Sequence, residues 1–101
     1  MKLLAIEKDT ENVSGKDIQS VLTAEAKSVW DLYQLGIIRE IYFRQDSPNA
    51  VLILECNDKS EARLILDRLP LVKEGLISFD IIPLKPYPGF SRLFSEVKLS
   101  R

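Results

Sequence analysis

The sequence predicts an α+β fold in which four strands and two helices follow one another in the order β-α-β-β-α-β. Three observations predict it: short runs of apolar and β-branched residues, two segments whose apolar residues recur three and four positions apart, and turn-forming residues between them. Two similar halves in this order form the ferredoxin-like plan, an antiparallel four-stranded sheet with both helices on one face. We assign residues 1–84 to this domain and residues 85–101 to an extended C-terminal arm.

The four predicted strands differ in how their side chains alternate. They run from Lys2 to Lys8, from Ile37 to Gln45, from Ala50 to Cys56 and from Leu76 to Leu84. The first, third and fourth strands are apolar on both faces, which is typical of strands that are covered on both sides. The second strand mixes apolar and charged residues on each face, which favours an edge strand or the wall of a pocket.

The two predicted helices end at residues that do not continue a helix. The first carries apolar residues three and four apart from Ile18 to Tyr33, and it ends at Gly36 because glycine accepts the left-handed conformation that closes a last helical turn. The second begins after Asp58, whose side chain can cap a helix. It ends before Pro70, because proline lacks a backbone N–H and disfavours helix in the preceding residue.

Glu25 interrupts the apolar stripe of the first helix, seven residues after Ile18 and four before Val29. In one interpretation Glu25 lies at the solvated margin of the stripe and pairs with Lys16, Lys27 or a neighbouring arginine. In the other, its carboxylate faces a pocket between the helix and the sheet, where desolvation raises its pKa. The second interpretation makes Glu25 a candidate catalytic base.

The second strand supplies candidate ligand-binding groups. Regular alternation places Arg39, Ile41 and Phe43 on one face, and Ile38, Glu40, Tyr42 and Arg44 on the other. An arginine binds a carboxylate through two parallel N–H bonds, and a phenol donates to a carbonyl or enolate oxygen. We therefore expect Arg44 to share a pocket with Tyr42, with Arg39 as a second candidate. Alternatively, the arginines pair with Glu40 or Asp46 at the surface.

Two groups of aromatic residues have two interpretations each. Trp30 and Tyr33, three apart on the first helix, either form the wall of a pocket or pack in the core. The arm carries Tyr87, Phe90 and Phe94 between prolines, which is a large apolar load for a chain terminus. These side chains pack either on their own subunit or on a neighbouring one.

Composition excludes several classes of protein. The chain has 101 residues, a net charge of −1 and no histidine, so it lacks a strong basic field for nucleic acid and the commonest metal ligand. Its glycines form no phosphate-binding loop, and we expect no cofactor and no metal. We expect neither a signal peptide nor a membrane-spanning segment, and the single cysteine, Cys56, fits a reducing compartment. We therefore expect a cytoplasmic protein.

The apolar strands also predict self-association. Two helices cover only one face of a four-stranded sheet, although three of the strands are apolar on both faces. A second copy of the same sheet would cover the other face with one self-complementary surface. We therefore expect a homodimer or a higher homo-oligomer.

Three stretches carry a resemblance to a known family. They are 68–72 (Arg-Leu-Pro-Leu-Val), 79–84 (Phe-Asp-Ile-Ile-Pro-Leu) and 24–27 (Ala-Glu-Ala-Lys). Together they resemble muconolactone isomerase and its relatives. The resemblance implies a dimeric α+β barrel of ferredoxin-like subunits, a pocket for a small carboxylated lactone and a cofactor-free proton shuttle. In that family a helix-borne glutamate occupies a position similar to that of Glu25.

Two functional hypotheses follow. In the first, the chain is a binding protein or cofactor-free isomerase for a small anionic organic acid or a lactone, with Glu25 as base, Tyr42 as donor and Arg44 as anchor. In the second, it is a non-catalytic oligomeric module whose apolar faces all serve self-association.

Overall fold

The computed structural model describes residues 1–10 and 18–94, and it confirms the predicted order of strands and long helices. In chain order the elements are strand β1 (Lys2–Asp9), helix α1 (Ile18–Gln34), strands β2 (Ile38–Phe43) and β3 (Ala50–Glu55), helices α2 (Lys59–Leu66) and α3 (Pro70–Lys73), strand β4 (Ile77–Pro83) and a 3-10 helix (Gly89–Leu93). The short helix α3 is an addition to the prediction. None of the helices within the described residues is long and apolar enough to cross a membrane.

The four strands form one antiparallel sheet in the order β2-β3-β1-β4. The two central strands are therefore β1 and β3, which are apolar on both faces. Strand β2, with its mixed side chains, is an edge strand. This arrangement confirms the α+β fold with a four-stranded antiparallel sheet.

The hydrophobic core lies between the sheet and the helices. Its most buried members are at most 4% exposed: Leu3, Ala5, Ile38, Leu52, Leu54, Phe79 and Ile81 from the sheet, Ala62, Leu66 and Leu69 from helix α2 and the segment after it, and Leu76 just before strand β4. Val29 and Leu32 of helix α1 pack against the same core. Both long helices therefore cover the same face of the sheet.

The other face of the sheet is covered by no described helix, and we call it the open face. At its centre are the apolar residues Leu4, Ile6, Val51, Ile53 and Ile82. Two ion pairs flank this centre near the two ends of strand β1: Lys8 Nζ lies 2.9 Å from Asp80 Oδ1, and the N-terminal ammonium lies 2.5 Å from Glu55 Oε2. An apolar centre inside a polar rim is the usual anatomy of a protein–protein interface.

The predicted alternation of strand β2 is wrong because the strand contains a bulge. Ile38 pairs with Leu54 and Glu40 pairs with Ile53, so Arg39 is an extra residue between two consecutive pairs. A bulge of one residue reverses the alternation on one side of it. Ile38 therefore lies on the helix-facing side together with Ile41 and Phe43, whereas Tyr42 lies on the open face.

Both long helices end close to where the sequence predicted. Gly36, after helix α1, and Gly75, after the short helix α3, have φ angles of +80° and +76°, which is the left-handed conformation expected of glycine after a helix. Helix α2 is capped by Asp58, whose side chain accepts the Glu61 N–H at 2.8 Å. Pro70 does more than end a helix, since it occupies the first turn of helix α3.

The arm departs from the extended chain that the sequence predicted. Residues 84–88 have no regular secondary structure and Gly89–Leu93 form the 3-10 helix, while residues 95–101 lie outside the described part of the chain. The Tyr87 ring packs over Gly89, where a Cβ atom would lie 2.0 Å from the ring, and it contacts Phe90 edge-on. Even so, Tyr87, Phe90 and Phe94 are each about two-thirds exposed.

Candidate functional site

A cavity of about 590 Å³ lies between helix α1, helix α3 and the helix-facing side of the sheet. It is situated where strand β1 ends and strand β4 begins. Its walls are largely apolar, and they include Leu22, Ile41, Leu52, Leu71, Leu76 and Phe79. The volume falls within the range of about 300–1,000 Å³ that small-molecule sites occupy.

Glu25 lies in one wall of this cavity, in the middle of the inward face of helix α1. Val21 and Val29, one turn away on either side, are half-buried, as Glu25 is. Lys27, one of the partners predicted for Glu25 at the margin, pairs instead with Asp31 at 2.8 Å. Lys16, another of those partners, lies outside the described residues.

The Glu25 carboxylate also has a structural contact, since its Oε1 accepts the Leu71 N–H at 2.9 Å. Leu71 is in the first turn of helix α3, where backbone N–H groups have no partner within the helix. Leu69, at the N-cap position of that helix, forms no side-chain capping bond. Glu25 therefore caps helix α3 from another element of the fold.

The environment of Glu25 raises the pKa of its carboxyl above the ordinary glutamate value. The main cause is burial, which disfavours the charged form, and the negative charge of Glu7 acts in the same direction. The hydrogen bond from Leu71 opposes these effects and lowers the pKa. A carboxyl group whose pKa is raised in an apolar cavity is suited to general acid–base chemistry.

Two further acidic side chains from strand β1, Glu7 and Asp9, line the same cavity. Glu7 Oε1 accepts the Ala50 N–H at 2.9 Å and Glu7 Oε2 accepts the Asn49 side-chain amide at 3.4 Å. The same Asn49 amide also donates to Asp9 Oδ1 at 3.1 Å. The start of strand β3 thus holds the acidic end of strand β1 against the cavity.

Tyr42 lies on the opposite face of the sheet from Glu25, so the structure does not bring the two predicted catalytic residues together. Its hydroxyl donates to Glu40 Oε1 at 2.6 Å, and this bond raises the pKa of the phenol. The two side chains belong to the open face.

The two arginines also lie outside the cavity. Arg44 forms two parallel bonds with Asp46, at 2.8 Å and 2.7 Å, so the surface pair is the alternative that the structure shows. Arg39, the bulged residue, donates to the Gly36 carbonyl at 2.5 Å. Their roles as anchors for an anionic ligand stay predictions.

Neither Trp30 nor Tyr33 packs in the core, and of the two only Tyr33 borders a described pocket. They are 56% and 47% exposed, with ring centroids 6.2 Å apart, and they line neither the core nor the large cavity. Tyr33 instead borders a shallow depression with Arg39 and Tyr42 at the outer edge of strand β2.

Glu7 and Asp9 are acidic cavity residues that the sequence prediction missed. The signal for Glu7 was the alternation on strand β1, where Leu3 and Ala5 are fully buried and Glu7 follows on the same face.

Within residues 1–10 and 18–94, no group of three or more metal-binding side chains lies close enough together to hold a metal ion.

The fold and the cavity define a small ferredoxin-like α+β domain with acidic groups in an otherwise apolar pocket. No protein-family model and no curated protein matches the chain. Among solved structures it is similar to muconolactone isomerase, with a TM-score of 0.74 and 13% identity over 87% of this chain and 92% of that one. The chain therefore has a muconolactone isomerase-like fold.

A second similar structure is 5-chloro-2-hydroxyhydroquinone dehydrochlorinase from Burkholderia phenoliruptrix AC1100 in complex with 2,5-dihydroxybenzoquinone. Here the TM-score is 0.62 and the identity 19%, over 88% of this chain and 98% of that one. At such low identities the two likenesses concern the fold.

Proposed function

We propose that the chain binds a small lactone or similar ring in the cavity and isomerises it without a cofactor, with Glu25 moving the proton. The observation that supports this is a carboxyl group with a raised pKa in an apolar cavity large enough for one such ring. The two similar structures also support a small ring as ligand, since one is a muconolactone isomerase and the other holds 2,5-dihydroxybenzoquinone.

Of the two ligand classes predicted from the sequence, the cavity favours a neutral lactone over an organic acid. The described lining carries Glu7, Asp9 and Glu25 and no lysine or arginine. An anion placed among these carboxylates would be repelled, and the apolar walls would not solvate it. Arg44 is engaged by Asp46 at the surface, so it supplies no compensating charge.

The contact with Leu71 orients the proposed base. Because the backbone N–H engages Oε1, the carboxylate is held in one place and Oε2 keeps its lone pairs for a ligand. In a β,γ-unsaturated lactone the carbon beside the carbonyl would lose a proton to this oxygen. The double bond would then move into conjugation as the γ-carbon gains a proton.

The test uses α-angelica lactone, a neutral β,γ-unsaturated lactone whose isomerisation to the conjugated form is visible by ultraviolet absorbance. We expect thermal stabilisation of the wild type by this lactone, and none by muconolactone, which bears a carboxylate. Glu25→Gln keeps an acceptor for Leu71 and should lose the isomerisation while it still binds the lactone. Asp31→Asn, an acid-to-amide change on the exposed side of the same helix, is the matched control and should retain the activity.

A specific observation also supports the self-association predicted from the sequence. The open face presents five apolar side chains in a rim of ion pairs, and a second copy would cover it by packing sheet against sheet. We therefore propose a homodimer through this face. If the lactone neither binds nor reacts while the chain is dimeric, the non-catalytic oligomeric module becomes the better description.

A further inference from the structure

Glu7 and Glu25 reach the cavity from different layers of the fold. Glu7 projects from strand β1 beside Phe79 of strand β4, and Glu25 projects from helix α1 above the sheet. Each carboxylate is tethered to a backbone N–H, that of Ala50 at 2.9 Å for Glu7 and that of Leu71 at 2.9 Å for Glu25. A ligand in the cavity would therefore lie between the carboxyl groups of Glu7 and Glu25, each of which is held in place by a backbone N–H.

The two groups have different surroundings. Glu7 accepts hydrogen bonds at both of its oxygens, from a backbone N–H and from the Asn49 amide. Both oxygens of Glu7 are therefore held in place by donors at the start of strand β3. Glu25 accepts one such bond and lies among valines on its helix, and burial there raises the pKa of its carboxyl. Two carboxyl groups in different environments are the usual basis for separate acid and base roles.

We propose that Glu7 is a second catalytic residue of the cavity and accepts the proton that the ligand loses, while Glu25 donates the proton that it gains. This rests on the proposed isomerase function and replaces a one-residue shuttle by a pair. In the lactone, the C–H bond next to the carbonyl breaks, its proton goes to Glu7 and the double bond shifts by one position. The γ-carbon then forms a new C–H bond with the proton of Glu25, and exchange with water returns Glu7 to the anion and Glu25 to the acid.

Isotope labelling distinguishes a pair from a single shuttle. α-Angelica lactone deuterated beside the carbonyl is converted in ordinary water, and the product is analysed by NMR. With two separate groups the γ-position of the product carries hydrogen from the solvent, and essentially no deuterium is transferred. Transfer of a substantial fraction of the label to the γ-carbon would overturn the role of Glu7.

Variants test the same point. We expect Glu7→Gln to lower the rate at least 100-fold at unchanged lactone binding, since a general base contributes about 10²–10⁴-fold. Asp31→Asn should leave the rate unchanged. Wild-type activity in Glu7→Gln would refute the proposal while the function of Glu25 stands, whereas loss of activity in Glu25→Gln alone would indicate a single shuttle.

A measurement without any ligand keeps the pairing testable if the lactone does not react. Carboxyl NMR should show a lower pKa for Glu25 in Glu7→Gln than in the wild type, because the neighbouring negative charge is gone. The Asp31→Asn variant should show no such change. An unaltered titration of Glu25 in Glu7→Gln would mean that the two groups do not face each other, and the proposal would fall on that result alone.

Discussion

The double role of Glu25, as cap of helix α3 and as cavity carboxylate, leads to different effects for two substitutions. Glu25→Gln keeps an oxygen that can accept the Leu71 N–H, whereas Glu25→Ala removes the acceptor. Loss of a helix cap costs about 0.5–2 kcal/mol, and a buried donor left without a partner costs about 1–3 kcal/mol. We therefore expect Glu25→Ala to lower the free energy of unfolding by about 1–2 kcal/mol at acidic pH, and Glu25→Gln to lower it by less.

The pH dependence follows from the raised pKa of Glu25. Because the folded state binds this proton more tightly than the unfolded state, the contribution of Glu25 to stability is fully present below the ordinary glutamate pKa. It decreases as the pH rises through the raised pKa of the folded state. Glu25→Gln has no proton to lose, so its stability relative to the wild type should increase over that window.

The assay is urea denaturation followed by circular dichroism, at several pH values on both sides of the ordinary glutamate pKa. Asp31→Asn serves as the control, since it removes only an exposed ion pair and should change stability by less than about 1 kcal/mol. Equal losses in Glu25→Ala and Glu25→Gln would refute the capping role. If the difference in free energy of unfolding between the wild type and Glu25→Gln is the same at every pH, the inferred pKa shift is refuted.

Three further predictions concern packing and assembly. Ile53→Asp places a charge on the open face, and light scattering should then show a monomer where the wild type is a dimer; a monomeric wild type would contradict the proposed interface. Phe79→Ala, in the core beside the cavity, should cost about 3–5 kcal/mol in denaturation experiments, and a loss below about 1 kcal/mol would mean that Phe79 is not packed as described. Truncation after Leu84 removes the exposed aromatic residues of the arm, so the domain should still fold and any oligomer larger than a dimer should dissociate to the dimer. An unchanged mass of the oligomer would show that the arm takes no part in assembly.

The main features of the fold could be predicted because each rests on a local pattern. Apolar alternation identified the strands, and a spacing of three and four residues identified the helices. Helix α3 was missed because it has four residues, too few to show a period, and because Pro70 marks the first turn of a helix as readily as the end of one. The sequence around Pro70 predicted the end of a helix followed by a turn of the chain. A helix of a single turn gives the same sequence pattern.

The candidate site could be predicted only in part. Glu25 was identifiable because a carboxylate in an apolar stripe is a local anomaly. Tyr42 was grouped with Ile38 on one face, and the bulge at Arg39 separates the two. Such a bulge depends on pairing with the neighbouring strand, which a single strand sequence does not reveal. Glu7 was missed because its partners at the start of strand β3 are more than 40 residues away in the chain.

The bond between Glu25 and Leu71 also makes the backbone of helix α3 a reporter of the cavity. The Leu71 amide hydrogen is protected from solvent exchange only while the Glu25 carboxylate remains in place. A ligand that draws this carboxylate towards itself would release the amide, and one that binds elsewhere would not. The exchange rate of this one amide therefore distinguishes a ligand that binds Oε2 and leaves the carboxylate in place from a ligand that pulls the carboxylate away from helix α3.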